Sequence, residues 1–304
     1  MGKLKVGITG AGGFIGTHLR RDFKDEIINT VLITGTDENV ITSTDLIVVD
    51  LFDINQLRRV LSDVNVVIHL AGLNSVRDSF ESPIESLRVN TLGTTSLLNV
   101  CKDIKIDKVI IISSAEVYGR PIFNPVSEYS LLQPLSPYGV SKVAIEQIAY
   151  VYHISKSIKF KILRPFSIYG PSMSKKSLMY DVYKKTLEGG DLRLFNLSSV
   201  RDYCYVGDLV RAIKNALLSE FKGFEIFNIG TGIGTSAKQI ATMIQEIMHT
   251  SGNICENSKS DRPRFADIDL LISNNMKAET ELDWKPETSL INGLKKTILS
   301  FQNE

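Results

Sequence analysis

Short, almost uninterrupted apolar runs recur along the chain: KVGITG (5–10), NTVLIT (29–34), DLIVVD (45–50), NVVIHLAG (65–72), KVIIISS (108–114), FKILRP (160–165) and FEIFNIG (224–230). A strand with one wetted face alternates apolar and polar residues. These runs do not alternate, so they predict strands buried on both faces, as in a parallel sheet. Longer segments between them have helical character, notably IESLRVNTLGTTSLLNVCKD (84–103) and YGVSKVAIEQIAYVYHIS (138–155). VGDLVRAIKNALLS (206–219) and GTSAKQIATMIQEIM (234–248) read as amphipathic helices.

Strands and helices alternating on this scale predict an α/β fold with a doubly wound parallel sheet. Right-handed crossovers then place ligands at the carboxyl ends of the strands. After RPFSIYGP (164–171) the alternation loosens. The expected division is a dinucleotide-binding domain over 1–170, rejoined by 203–230, and a smaller C-terminal α/β substrate-binding domain over 171–304.

The 304 residues are 43% hydrophobic and 23% charged, with a net charge of +1. So balanced a chain offers no bulk attraction to nucleic acid or an anionic membrane, and neither is expected as a partner. The cysteines, Cys101, Cys204 and Cys255, are odd in number and match no zinc spacing. A reduced, cytoplasmic protein without a metal is expected, with neither a leader nor a membrane-length apolar run.

GITGAGGFIG (7–16) sets Gly10, Gly13 and Gly16 three residues apart, after a strand and at the start of a helix. Glycines here permit a tight turn and close approach of a pyrophosphate to backbone N–H groups at a helix N-terminus. In a dinucleotide site of this kind the second strand ordinarily ends in an acid for the ribose hydroxyls. Here that place holds Thr34 or Gly35, and the acids follow at Asp37 and Glu38, with no Arg or Lys suited to a 2′-phosphate. NAD is the expected cofactor, with NADP left open. Asp50, after the third strand, is placed to meet the adenine.

SPYGVSK (136–142) sets Tyr138 and Lys142 four residues apart, on one face of a helix. An ammonium beside a phenol favours phenolate, so the pair reads as a proton-transfer group whose tyrosine pKa is lowered.

Taken in order, TGAGGFIG (9–16), DLFD (50–53), VIHLAG (67–72), Val89-Asn90, ISSAEVYG (112–119), SPYGVSK (136–142), LRPFSIYGP (163–171), VRDYCYVGDLVRA (200–212), FNIGTG (227–232) and LDWKP to LKKTI (282–298) resemble the extended short-chain dehydrogenase/reductases that act as nucleotide-sugar epimerases and dehydratases. The resemblance implies a Rossmann domain whose Gly10, Gly13, Phe14, Ile15, Gly16, Asp50, Leu51, Leu70, Ala71, Gly72, Asn90, Tyr138, Lys142 and Pro165 meet the cofactor. It implies Tyr138 as the proton carrier, Lys142 as the residue lowering its pKa and holding the nicotinamide ribose, and Ser114 as the hydrogen-bonding partner of the sugar oxygen. On the substrate side it implies Asn74, Ser114, Ser167, Arg201 and Arg262, around a nucleotide-diphosphate sugar. Ser167 stands in place of the family's usual Asn and reaches less far. A homodimer is also implied.

Three reactions of that family compete. Dehydration uses an Asp-Glu pair after the Ser/Thr; here the pair is Ala115-Glu116, and alanine donates no proton. The same change weakens a decarboxylase reading. A 4-epimerase working through a transient 4-keto sugar comes first and a 4-keto-6-deoxy-sugar reductase second, with Glu116 as a further candidate catalytic group. A non-catalytic dinucleotide sensor comes last, because Ser114, Tyr138 and Lys142 are all kept.

Overall fold

The computed structural model describes residues 4–23, 28–34, 46–257 and 263–303. In chain order the first half is β1 (Leu4–Thr9), α1 (Phe14–Asp22), β2 (Ile28–Thr34), β3 (Ile47–Val48), α2 (Ile54–Val60), β4 (Val66–His69), α3 (Val76–Glu81), α4 (Pro83–Leu87), a π-helical turn (Arg88–Leu92), α5 (Gly93–Asp103), β5 (Lys108–Ile112), a 3₁₀ turn (Ala115–Tyr118), α6 (Pro137–Lys156) and β6 (Lys159–Pro165). There follow β7 (Ser167–Tyr169), α7 (Leu178–Glu188), β8 (Leu192–Leu194), β9 (Val200–Tyr205), α8 (Val206–Leu218), β10 (Phe224–Ile229), β11 (Gly234–Ser236), α9 (Ala237–Ile247), β12 (Ile254–Glu256), β13 (Leu270–Leu271), α10 (Met276–Leu282) and α11 (Leu290–Gln302). The segment read as one helix over 84–103 is helical throughout but passes through the π turn.

Seven strands form one sheet in the order β10-β6-β5-β4-β1-β2-β3, and every pairing is parallel. The doubly wound expectation therefore holds. Its physical basis is visible within single strands. Ile110 and Ile112 enter the core that also holds Leu19 of α1 and Leu209 and Ile213 of α8. Val109 and Ile111 enter the opposite core with Leu97 of α5 and Ile145 of α6. Successive side chains point to opposite faces, and both faces are covered by helices, so the run Val109–Ile112 is apolar throughout.

β10 closes one edge of this sheet against β6. Trp284 and Leu282, from the end of α10, pack in the same core as α8. A second, smaller core joins α7, α9 and α11 through Val182, Ile244 and Ile298. Beside it, β7 and β11 pair with β9 in a four-stranded sheet. Only Phe166 separates β6 from β7, so this small sheet springs from the carboxyl edge of the large one.

Candidate active site

The glycine turn crosses from β1 into α1. Gly10 has φ +71, and a Cβ there would lie 2.6 Å from the Ala71 nitrogen. At Gly16 a Cβ would meet the Gly10 carbonyl oxygen at 2.3 Å, so the fold itself requires glycine. Gly13 differs: a Cβ would meet only the Gly10 oxygen, at 3.3 Å, and φ is −76. Protein packing does not demand a glycine at Gly13, but a group pressed against the turn from outside would. Gly13 is also the N-cap of α1 and supplies no side-chain cap, so the first-turn N–H groups of Phe14, Ile15 and Gly16 receive no acceptor from the cap.

The outside of this turn opens on a cleft of about 440 Å³. The turn, Asp50-Leu51 and the Leu70–Gly72 exit of β4 line it, with Asn74 beyond. The uncapped helix start and the volume of the cleft outside it fit a dinucleotide with its pyrophosphate on the turn. Thr9, Ile33, Phe52, Glu85 and Arg88 also line the cleft and were not singled out from sequence. Asp37, Glu38 and Arg262 lie outside the described residues.

Asn90, expected on the cofactor, is buried beneath the cleft. Its amide oxygen accepts from the Leu73 N–H at 2.7 Å, and its NH₂ donates to the Leu73 carbonyl at 2.9 Å and to Ser141 Oγ at 2.8 Å. These bonds use both amide protons and tie the β4 exit to α6. Ser141 Oγ in turn donates to the Tyr138 carbonyl at 2.7 Å. His69 lies on the same path, between Thr9 Oγ1 at 2.7 Å and Thr94 Oγ1 at 2.9 Å. Thr94 gives its own proton to the Asn90 carbonyl, so Nε2 of His69 is the donor and Nδ1 accepts from Thr9.

The catalytic candidates meet because two segments are driven together. Ser114, extended after β5, caps the 3₁₀ turn by accepting the Glu116 N–H at 3.1 Å. Ser136 caps α6 through the Gly139 N–H at 3.0 Å, with Pro137 in the first turn. A Cβ on Gly139 would lie 2.9 Å from the Glu116 carbonyl oxygen, so glycine lets α6 touch the 3₁₀ turn. The Tyr138 phenol then lies near Ser114 and feels the Glu116 charge.

Burial pushes the Tyr138 phenol up to about 12; the Ser114 hydrogen bond lowers it and Glu116 raises it further. Burial also brings Lys142 down to about 8, opposed by Glu146. Lys142 Nζ donates to the Ile112 carbonyl at 2.8 Å and lies 5.7 Å from the centre of the Tyr138 ring. The expected lowering of the tyrosine by the lysine is therefore absent from the chain alone: desolvation outweighs an ammonium turned toward a carbonyl.

Behind this pair lies an ion pair that sequence reading missed. Arg164 Nη2 meets Glu146 Oε2 at 2.6 Å and its Nε meets Oε1 at 3.0 Å, both side chains fully buried. Ser113 donates to the same carboxylate, and Arg164 Nη1 donates to the Tyr118 hydroxyl at 2.8 Å. The pair ties β5, α6 and β6 together next to Ser114 and Lys142.

Pro165 is buried at the end of β6. Ser167 begins β7 opposite Tyr203 of β9, and Arg201 lies two residues before Tyr203 on the same strand, donating through Nη1 to the Val200 carbonyl at 3.0 Å. The two proposed substrate residues thus share the small sheet, at the carboxyl side of the large one.

The fold, the glycine turn and the grouping of Ser114, Tyr138 and Lys142 together define a dinucleotide-dependent enzyme. Residues 6–230 match the NAD dependent epimerase/dehydratase family, and the chain belongs to that family. A Methanocaldococcus jannaschii protein whose name, UDP-glucose 4-epimerase, is provisional is 33% identical over 97% of this chain and 98% of its own length. The UDP-glucose 4-epimerase of Thermotoga maritima, solved with UDP-glucose, superposes with a TM-score of 0.90 at 27% identity, covering 99% of each chain. The UDP-glucuronic acid 4-epimerase of Bacillus cereus, solved with UDP-glucuronic acid and NAD, gives 0.89 at 30% identity, covering 99% of each chain. Among the described residues no helix is long and apolar enough to cross a membrane.

Proposed function

We propose that this enzyme interconverts the C4 epimers of a UDP-sugar, and that Ser114, Tyr138 and Lys142 carry the proton chemistry. The observation that carries this reading is the meeting of the α6 start, with Tyr138 and Lys142, and the 3₁₀ turn that follows Ser114, in a fold that also holds the glycine-turn cleft, with Ala115 where a dehydratase would need an acid. Tyr138 takes the C4 hydroxyl proton and later returns it to the C4 oxygen, once the 4-keto sugar has turned its opposite face for reduction. Ser114, its lone pair engaged by the Glu116 N–H, turns its own proton to the C4 oxygen and holds it. Lys142 orients the nearer ribose and adds positive charge beside the phenol. NAD, when bound, supplies the acceptor and donor of the C4 hydride. Glu116 tunes the tyrosine by charge and takes no proton from the sugar.

Ser167 and Arg201 hold the diphosphate side, with Arg262 as a third contact, and Asn74 lies at the sugar end. An Arg fork suits phosphate geometry. The part of 171–304 built on the α7–α9–α11 core covers the substrate. The relatives named as 4-epimerases, and the NAD held by one of them, favour an epimerase over a ketoreductase. Tightly retained NAD in the purified protein supports the epimerase; a site that fills only with added reduced cofactor supports the reductase.

A homodimer fits the surface of α6 and its neighbours. Val140, Val151 and Ile154 form an exposed stripe on α6, beside the exposed Ile84 and Leu92. A two-fold axis over this face would bury both stripes against their own copies. Val151→Asp should give a monomer in sedimentation; an unchanged assembly, or a monomeric wild type, would remove the proposal. A cytoplasmic location fits the free thiols of Cys101, Cys204 and Cys255.

A further inference from the structure

We propose that Arg88 and Phe52 form a lip that stacks on the adenine ring of the bound dinucleotide. This rests on the reading of the cleft as the NAD site. The side chains involved come from two separate segments, the turn after β3 and the start of the π turn, and both line the cleft. The Arg88 guanidinium carbon stands 4.7 Å over the centre of the Phe52 ring. Glu85 grips the guanidinium by one edge, Nε to Oε2 at 2.8 Å and Nη2 to Oε1 at 2.7 Å. A guanidinium fixed by its edge keeps its two faces for stacking. Phe52 occupies one, and a purine suits the other.

The sheet order decides which half of the dinucleotide arrives here. The phosphates sit at the glycine turn after β1. The nicotinamide must reach Tyr138 and Ser114, on the β4–β5 side. The adenosine half therefore runs the other way, over the ends of β2 and β3, where the buried Ile33 and Val49 give it an apolar floor. Asp50 lies next to the lip and accepts the Phe52 N–H at 2.9 Å, fixing the turn that presents the ring. Stability gives no reason for the arrangement, since the Glu85–Arg88 pair is about half exposed (side chains 46% and 47%) and such pairs contribute little. DLFD and SLRVN carry both residues in the sequence, but nothing in their spacing brings them together.

The test is calorimetric titration of protein freed of retained dinucleotide, using NAD, ADP-ribose and nicotinamide mononucleotide as probes. Arg88→Ala and Phe52→Ala should weaken NAD and ADP-ribose alike, by about fivefold or more, leave the mononucleotide unchanged, and leave the melting temperature in place. Arg88→Lys, which keeps the charge and loses the plane, should resemble Arg88→Ala. Unchanged ADP-ribose affinity in both alanine variants would overturn the lip, and full affinity in Arg88→Lys would overturn stacking in favour of simple charge. Failure of the wild type to bind either NAD or ADP-ribose would instead remove the dinucleotide from the cleft, and the lip with it.

Discussion

The Lys142 ammonium lies 5.7 Å from the centre of the Tyr138 ring and gives its hydrogen bond to the Ile112 carbonyl, away from the phenol. In the chain alone the tyrosine is held up at about 12, chiefly by burial and further by Glu116. A positive charge brought close to the phenol would favour phenolate, and the oxidised nicotinamide ring carries one. With the cofactor bound, Lys142 would then lower the phenol pKa together with that charge and not by itself. Removing the Glu116 charge should lower the Tyr138 pKa, so Glu116→Gln should move the rise of kcat/KM to lower pH while keeping most of the activity. A pH profile unchanged in Glu116→Gln would separate the two residues electrically. A collapse of turnover would give Glu116 a part in the chemistry.

Tyr138→Phe keeps the ring and removes the transferable proton. Turnover should drop by about a hundredfold or more, the usual scale for a positioned acid–base group. NAD content and melting temperature should change little. Activity near wild type would take the proton-carrying role from Tyr138.

The glycine turn divides into two kinds of position. Gly13→Val should fold at a small cost, because a Cβ there makes a single tight contact, 3.3 Å to the Gly10 oxygen, yet should lose dinucleotide affinity because its methyl groups would stand where the proposed pyrophosphate lies. Gly16→Ala should lower the melting temperature itself, since its Cβ would collide with Gly10. Calorimetric titration together with thermal melts distinguishes them. Intact NAD binding in Gly13→Val would move the phosphates elsewhere.

His69 gives the fold an acid limit. Complete burial holds its pKa down at about 3, against 6.5 when exposed, with a smaller push from Lys142. Between those values the unfolded chain binds a proton that the folded chain refuses. The stability contribution is therefore whole above about 6.5 and is lost as pH falls toward 3, at up to about 1.4 kcal/mol per pH unit. His69→Gln should be less stable than wild type at pH 7 and should lose less as the buffer is acidified. Parallel stability curves for the two proteins would mean that His69 does not titrate in this way.

Much of this architecture was legible because it is local. Strand burial on two faces shows as unbroken apolar runs, and the Tyr138–Lys142 spacing announces a helix with one working face. What escaped was long-range. Glu146 and Arg164 are on different elements, and neither segment signals that its charge is buried. The His69–Thr94 and Asn90–Ser141 bonds likewise join distant stretches, so the tie that Asn90 makes was not legible in its own segment. The direction of the Tyr138 pKa was missed for the same reason: spacing reveals the neighbouring charge but not the depth of burial.

This chain should oxidise and re-reduce one carbon of a UDP-sugar without net consumption of cofactor. The direct measurement is to incubate the purified protein with UDP-glucose or UDP-glucuronic acid, adding no reduced nicotinamide, and to follow the sugar by NMR and the reduced-nicotinamide absorbance together. The account predicts that the C4 epimer appears and approaches equilibrium from either side while that absorbance stays flat. Stoichiometric loss of added reduced cofactor with a 4-keto-6-deoxy sugar, and no epimer from any UDP-hexose, would contradict it.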